Sequence, residues 1–283
     1  MERPPLLVYS ETASCAAVSD VVDCYWSIRG EAGVKAAPNR VLPDGCMDII
    51  FALGPESAQP AYVVGAMRQA VVVRHTGPVD LLGVRFRPGR AATFLGVPAT
   101  DLTGEIAGLD AFWSDAGSLR DELALLRPSA LREGGGEGVR PVASRAERRL
   151  LAERAAVLDR VLLARIGSRE PDGLVAGALQ LIRESQGCMR VREIERRLGT
   201  SERTLGRRFG AAVGLSPKES SRIARFLMVA RRLDREPQTG LARLAFGAGY
   251  ADQSHFTRDF AELAGITPAA YAREPSVTRG LAG

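Results

Sequence analysis

The chain of 283 residues is 46% hydrophobic and 25% charged, with a formal net charge of +5, which is the profile of a soluble globular protein with room for two cores. No run approaches the roughly 18 consecutive apolar residues of a membrane span, and the opening MERPPLLVYSE lacks the basic-then-apolar order of a secretory signal, so the cytoplasm is expected. Cys15, Cys24, Cys46 and Cys188 are scattered without the close pairing of zinc or redox motifs; reduced thiols, no metal and no cofactor are expected.

The first part, about Leu6 to Phe94, holds short apolar runs at Asp48–Leu53, Tyr62–Val64, Ala70–Arg74 and Val79–Phe86. Turn signals at Pro43-Asp44-Gly45, Gly54-Pro55, Gly77-Pro78 and Pro88-Gly89 separate them, a spacing that predicts a small antiparallel sheet or barrel. Residues 91–126 read as mixed and partly helical. Arg127–Pro141, with three consecutive glycines, reads as a surface linker. Ser144–Ile166 then places Leu151, Ala155, Leu158 and Leu162 on one stripe of a long amphipathic helix, suited either to packing on its own domain or to pairing with a second copy.

From Gly173 the pattern is helical almost throughout. A helix through Ile182 ends at Gly187, and a short one, Val191–Leu198, stops at Gly199-Thr200. Ser201 then caps a helix running to about Ala212, and helix, tight turn and helix is the outline of a DNA-reading unit. Ser216-Pro217-Lys218-Glu219 opens a longer helix to about Arg235 with a capping box and a proline in its first turn.

The arrangement then repeats: Leu241–Ala248 is a short helix, Gly249-Tyr250-Ala251 a turn, and Asp252 the cap of a helix to about Ala264. Arg207, Phe209, Gly214 and Pro217 recur as Arg258, Phe260, Gly265 and Pro268 at a constant offset of 51. Leu205 with Phe209, and Phe256 with Phe260, sit four residues apart and make one buried stripe in each helix. Arg207 and Arg258 fall about 200° from those stripes, facing outward. Basic residues exceed acidic ones by six between Gly177 and Pro275, whereas the remainder of the chain is close to balanced. Nearly all of the excess is arginine, suited to bidentate contacts with phosphate or guanine, although a genome rich in arginine codons would produce the same bias.

On these residues the segment from about Leu174 to Arg273 resembles the AraC/XylS family of bacterial transcription regulators. The most specific pieces are Ser201–Phe209, the run Gly249–Phe260, and Gly265-Ile266-Thr267-Pro268. The resemblance implies a seven-helix domain whose long fourth helix holds two readers in adjacent major-groove segments. It also implies a regulator partnered by double-stranded DNA, with a small-molecule effector, RNA polymerase and a second copy of the chain as further partners. The residues expected to face DNA are Ser201, Arg203, Thr204, Gly206 and Arg207 in the first reader, and Gln253, Ser254, His255, Thr257 and Arg258 in the second. Gly206 departs from the family's usual side chain there, which shifts the first reader's specificity toward Arg203 and Arg207. The motifs Leu42–Asp48 and Gly83–Gly89 resemble a little-characterised sensor-type domain that precedes this unit in some relatives.

The expected fold is thus α+β: a β-rich N-terminal domain with flanking helices, a helical linker, and an all-α domain of seven helices with two helix-turn-helix units. The expected boundaries are 1–127 for the sensor domain, 128–170 for linker and amphipathic helix, 171–275 for the DNA-binding domain and 276–283 for a tail. Asp44, Asp48, Arg85 and Arg87 are candidates to line an effector pocket, and equally to form turns and surface pairs. With His75 and His255 as the only histidines, no nucleophile–base pair is apparent, so no enzyme is expected. The rival to DNA binding is a small-molecule or protein-binding module that keeps the helical repeat as a scaffold.

Overall fold

The computed structural model describes residues 7–33, 38–54, 59–127, 143–166, 171–274 and 279–280. Nine strands are described: β1 (Leu7–Thr12), β2 (Val22–Ala32), β3 (Asn39–Val41), β4 (Met47–Ala52), β5 (Ala61–Val64), β6 (Val71–Val73), β7 (Gly77–Phe86), β8 (Ile106–Gly108) and β9 (Arg279–Gly280). Six of them form an open antiparallel sheet in the order β1-β2-β7-β4-β5-β8, and β6-β3-β9 form a small second sheet. The sheet alternative of the sequence reading is therefore the one adopted, since β1 and β8 remain edges.

Alternation sets its two faces. Ile49 and Phe51 of β4, Leu82, Val84 and Phe86 of β7, and Tyr25 of β2 enter the main core. Cys24, Trp26 and Ile28 lie on the opposite face with Tyr9, Ile50 and Leu81. Gly83 makes that second face possible, because a Cβ there would sit 2.0 Å from the indole of Trp26. The bare backbone lets Trp26 lie across β7 and donate its Nε1–H to Asp48 on β4 at 3.1 Å.

Three helices back the main core: α1 (Ala91–Leu95), α2 (Ala116–Leu125) and α3 (Arg145–Arg165). Ser144 and Glu147 close a capping box at the start of α3, whose stripe Leu151, Ala155, Leu158 and Leu162 is buried. This helix packs on β1 and β2, where Asp159 accepts hydrogen bonds from the Tyr25 hydroxyl at 2.7 Å and the Cys15 amide at 3.1 Å. Arg154, only 2% exposed, forks onto Asp80 of β7 at 2.7 and 3.0 Å. Packing on the N-terminal sheet is thus the role the described contacts give α3. The stretch expected as a linker lies outside the described residues apart from Arg127.

Seven helices follow: α4 (Gly173–Glu184), α5 (Val191–Leu198), α6 (Glu202–Val213), α7 (Pro217–Arg235), α8 (Leu241–Gly247), α9 (Gln253–Ala264) and α10 (Pro268–Arg273). Their ends are written in the sequence. Ser216 and Glu219 close a second capping box at α7, and Gly199, Gly214 and Gly265 end α5, α6 and α9 in the left-handed conformation. Phe226 of α7 packs against Phe260 of α9 with ring centroids 4.9 Å apart. Among the described residues no helix is long and apolar enough to cross a membrane.

Candidate nucleic-acid interface

The two helices expected to read DNA, α6 and α9, are built alike. Ser201 caps α6 by accepting from the Thr204 amide, and Asp252, its counterpart 51 residues on, caps α9 by accepting from the His255 amide. Leu205, Phe209 and Val213 anchor α6 in the core, as Phe256, Phe260 and Leu263 anchor α9. The opposite sides are open. Ser201, Arg203 and Arg207 are exposed with Thr204 and Gly206 partly covered, and Gln253, Ser254, His255 and Arg258 are exposed with Thr257 partly covered. Gln253, Ser254, Thr257 and Arg258 share one open concavity.

Neighbouring charges separate into two kinds. Arg203, Arg207 and Arg258 take part in no ion pair among the described residues. Arg208, next to Arg207, is turned inward and forks onto Asp172, the cap residue of α4, at 2.5 and 2.6 Å. Its counterpart Asp259 is likewise turned inward, bound by Arg222 of α7 and by the Tyr250 hydroxyl at 2.5 Å. The inward pair therefore recurs in both units with its polarity reversed, acid on the supporting helix in one and base in the other. Each unit uses one charge for docking and leaves the adjacent arginine unpaired at the surface.

Gly206 stands inside α6 where an added Cβ would meet nothing within 4 Å. Gly206→Ala is expected to stabilise the domain by about 0.8–1 kcal/mol, the difference in helix propensity, as read by urea denaturation. A stability equal to or below wild type would contradict that open position.

Of the four residues proposed for an effector pocket, three meet. Arg85 is 3% exposed, and its guanidinium lies 3.5 Å from Asp44, 3.6 Å from Asp48 and 3.9 Å from Glu11. Its Nε and Nη1 make no hydrogen bond among the described residues, while Asp44 Oδ1 takes the Cys46 amide at 2.8 Å. Arg87 is turned away to Asp23 at 3.2 Å and to the Ser19 carbonyl at 2.8 Å. Glu11 and Trp26 were not singled out in the sequence reading; they join the cluster only through strand pairing of β1 and β2. Asp44 and Arg85 border a cleft of about 1200 Å³ whose far wall is α4 and α7.

Burial pushes the Asp48 carboxyl from 3.8 up to about 6, against the opposing pull of Arg85. The folded protein then holds a proton that the unfolded chain has released, so the stability it supplies at low pH is lost as pH climbs from about 4 to about 6 and stays flat above. Asp44, whose carboxyl burial also raises, adds to the same slope, so Asp48→Asn is expected to reduce it in thermal melts, and parallel curves for variant and wild type would refute it.

The paired units define the chain as a helix-turn-helix protein. A family model described as a helix-turn-helix domain matches residues 194–274, and one for a domain of unknown function, DUF6597, matches residues 10–107. An AraC-like transcription regulator of Streptomyces antibioticus is 33% identical over 105 residues, which are 37% of this chain and 34% of that protein. The chain thus matches about a third of that curated relative's length. Residues 194–274 are thus similar to the helix-turn-helix domain of AraC-like transcription regulators. ToxT from Vibrio cholerae superposes with a TM-score of 0.42 at 11% identity, over 95% of this chain and 98% of ToxT. The xylose-binding transcription activator XylR gives 0.32 at 18% identity, over 50% of this chain and 43% of XylR.

Proposed function

We propose that this protein is a cytoplasmic, sequence-specific DNA-binding regulator of transcription that reads two adjacent major-groove segments with α6 and α9. The observation that carries the reading is the repeated arrangement of exposed arginines, Arg203 and Arg207 on one capped helix and Arg258 on the other, each free of an acidic partner among the described residues. An unpaired guanidinium on a helix that fits the major groove can fork onto guanine, and Gln253, Ser254, His255 and Thr257 supply further base and phosphate contacts. Ser201, Thr204 and Gly206 form the approach surface of the first reader.

Control enters through the N-terminal domain. Asp44, Asp48 and Arg85 form the polar part of an effector site on this reading, and Arg87 borders the same cleft. Arg85 holds two buried donors that a ligand acceptor would satisfy. RNA polymerase and a second copy of the chain are the further partners expected of such a regulator.

Genome-wide mapping of fragments bound by the purified chain, followed by titration across salt, tests the reading. Contact with about six phosphates gives a slope near −5 in log affinity against log salt. A slope near zero would end the DNA-binding reading and favour a scaffold that binds small molecules or proteins.

A further inference from the structure

The N-terminal domain grips both reader units, and it does so at matching places. Gly214 and Gly265, which end α6 and α9, are equivalent in the repeat and hold φ of +83° and +73°. Both are closely approached. A Cβ at 214 would lie 2.8 Å from Thr103 Oγ1 and 3.0 Å from the Ala99 carbonyl oxygen, and one at 265 would lie 3.3 Å from Arg40 Nη1.

Hydrogen bonds follow the same plan. The Thr103 hydroxyl donates to the Gly214 carbonyl at 2.5 Å, Arg40 Nη1 donates to the Ala264 carbonyl at 2.8 Å, and the Ala70 amide donates to the Leu263 carbonyl at 2.7 Å. These acceptors lie at helix C-termini, where carbonyls lack partners within the helix, and a guanidinium there also suits the helix dipole. Arg40 is itself held by a fork onto Glu274, just beyond α10, at 3.0 and 3.2 Å. The segment from Ala66 to Ala70 serves both sides, since Ala66 borders Gly214 and Ala70 bonds α9. The C-terminal ends of both readers thus rest on one support.

We infer that the N-terminal domain acts as a gauge fixing the separation and tilt of the two reader helices, with Arg40 and Thr103 as positioning residues that set which spacing of half-sites the protein accepts. This rests on the DNA-binding reading and adds to it a second strut beside α7. Without that strut, α7 and its packing alone relate the two readers, and a duplex with displaced half-sites is penalised less.

The experiment uses the full chain. A preferred duplex is first selected from a random pool with wild type, and derivatives with one base pair inserted or removed between the two read segments are then titrated with wild type, Thr103→Val and Arg40→Gln. Wild type is expected to reject the displaced duplexes, and each variant to lose about fivefold of that discrimination, the effect of the one side-chain hydrogen bond that Arg40 or Thr103 makes to the end of a reader helix. Affinity for the native spacing should change less than discrimination does. Thr103→Val is close to isosteric and decides the matter if Arg40→Gln fails to fold. Discrimination equal to wild type in the folded variants would overturn the inference. If wild type selects no duplex at all, the DNA-binding reading is what fails.

Discussion

Arg258→Ala is expected to weaken specific DNA binding by about 1–3 kcal/mol, roughly fivefold to 150-fold, and to relax preference at one base-pair position. The side chain is exposed on the outward face of α9, its Nε within 3.4 Å of the Ser254 carbonyl and no carboxylate competing for it among the described residues. A guanidinium so placed arrives at the groove without first having to break an ion pair, so its full fork is available to a guanine edge. The loss should be confined to one position, because Arg203 and Arg207 sit on the other reader. Anisotropy titration with the selected duplex and its single-base variants measures both effects. Unchanged affinity together with an unchanged base preference would remove Arg258 from the interface.

Asp80→Ala is expected to destabilise the N-terminal domain by about 3–5 kcal/mol, because it strands a buried cation. Arg154 reaches from α3 to Asp80 with two nitrogens and adds a 3.2 Å bond to the Leu126 carbonyl, and Arg29 approaches the same carboxylate at 3.3 Å. Removing the acid leaves Arg154 dry and unneutralised under α3. Replacing both charges, Asp80→Leu with Arg154→Met, should recover much of the loss, since neither ion is then left buried alone. Chemical denaturation resolves the difference. A single variant within about 1 kcal/mol of wild type would show that the pair contributes little to docking α3.

The C-terminal domain was legible in the sequence because its information is local. Caps at Ser201, Ser216 and Asp252 and glycines at helix ends lie within a few residues of what they determine, and α4 to α9 appear where those signals put them, whereas α10 was expected only from the seven-helix family resemblance. The four strands β4 to β7 were legible for the same reason, bounded as they are by Gly and Pro turns.

The strands β1 and β2 were not. Val22–Ala32 is covered on both faces along much of its length, so Tyr25 faces the main core while Cys24, Trp26 and Ile28 pack on the other side, and the polar–apolar alternation that announces a half-buried strand is absent. The charged cluster was legible only in part. Asp44, Asp48 and Arg85 stand out beside turns, whereas Glu11 reaches Arg85 through the pairing of β1, β2 and β7, which no local signal encodes. The grip of Arg40 and Thr103 on the reader helices was invisible for the same reason, as it joins residues more than a hundred positions apart.

The reversed ion pairs also bear on how a duplicated chain folds without confusing its copies. Two helices with the same anchoring pattern could in principle exchange berths, α9 settling against α4 and α6 against the start of α7. That exchange would set Asp259 against Asp172 and Arg208 against Arg222, like charges at both contacts, whereas the native arrangement opposes unlike ones. The swap of sign between the repeats thus disfavours the exchanged arrangement at both contacts.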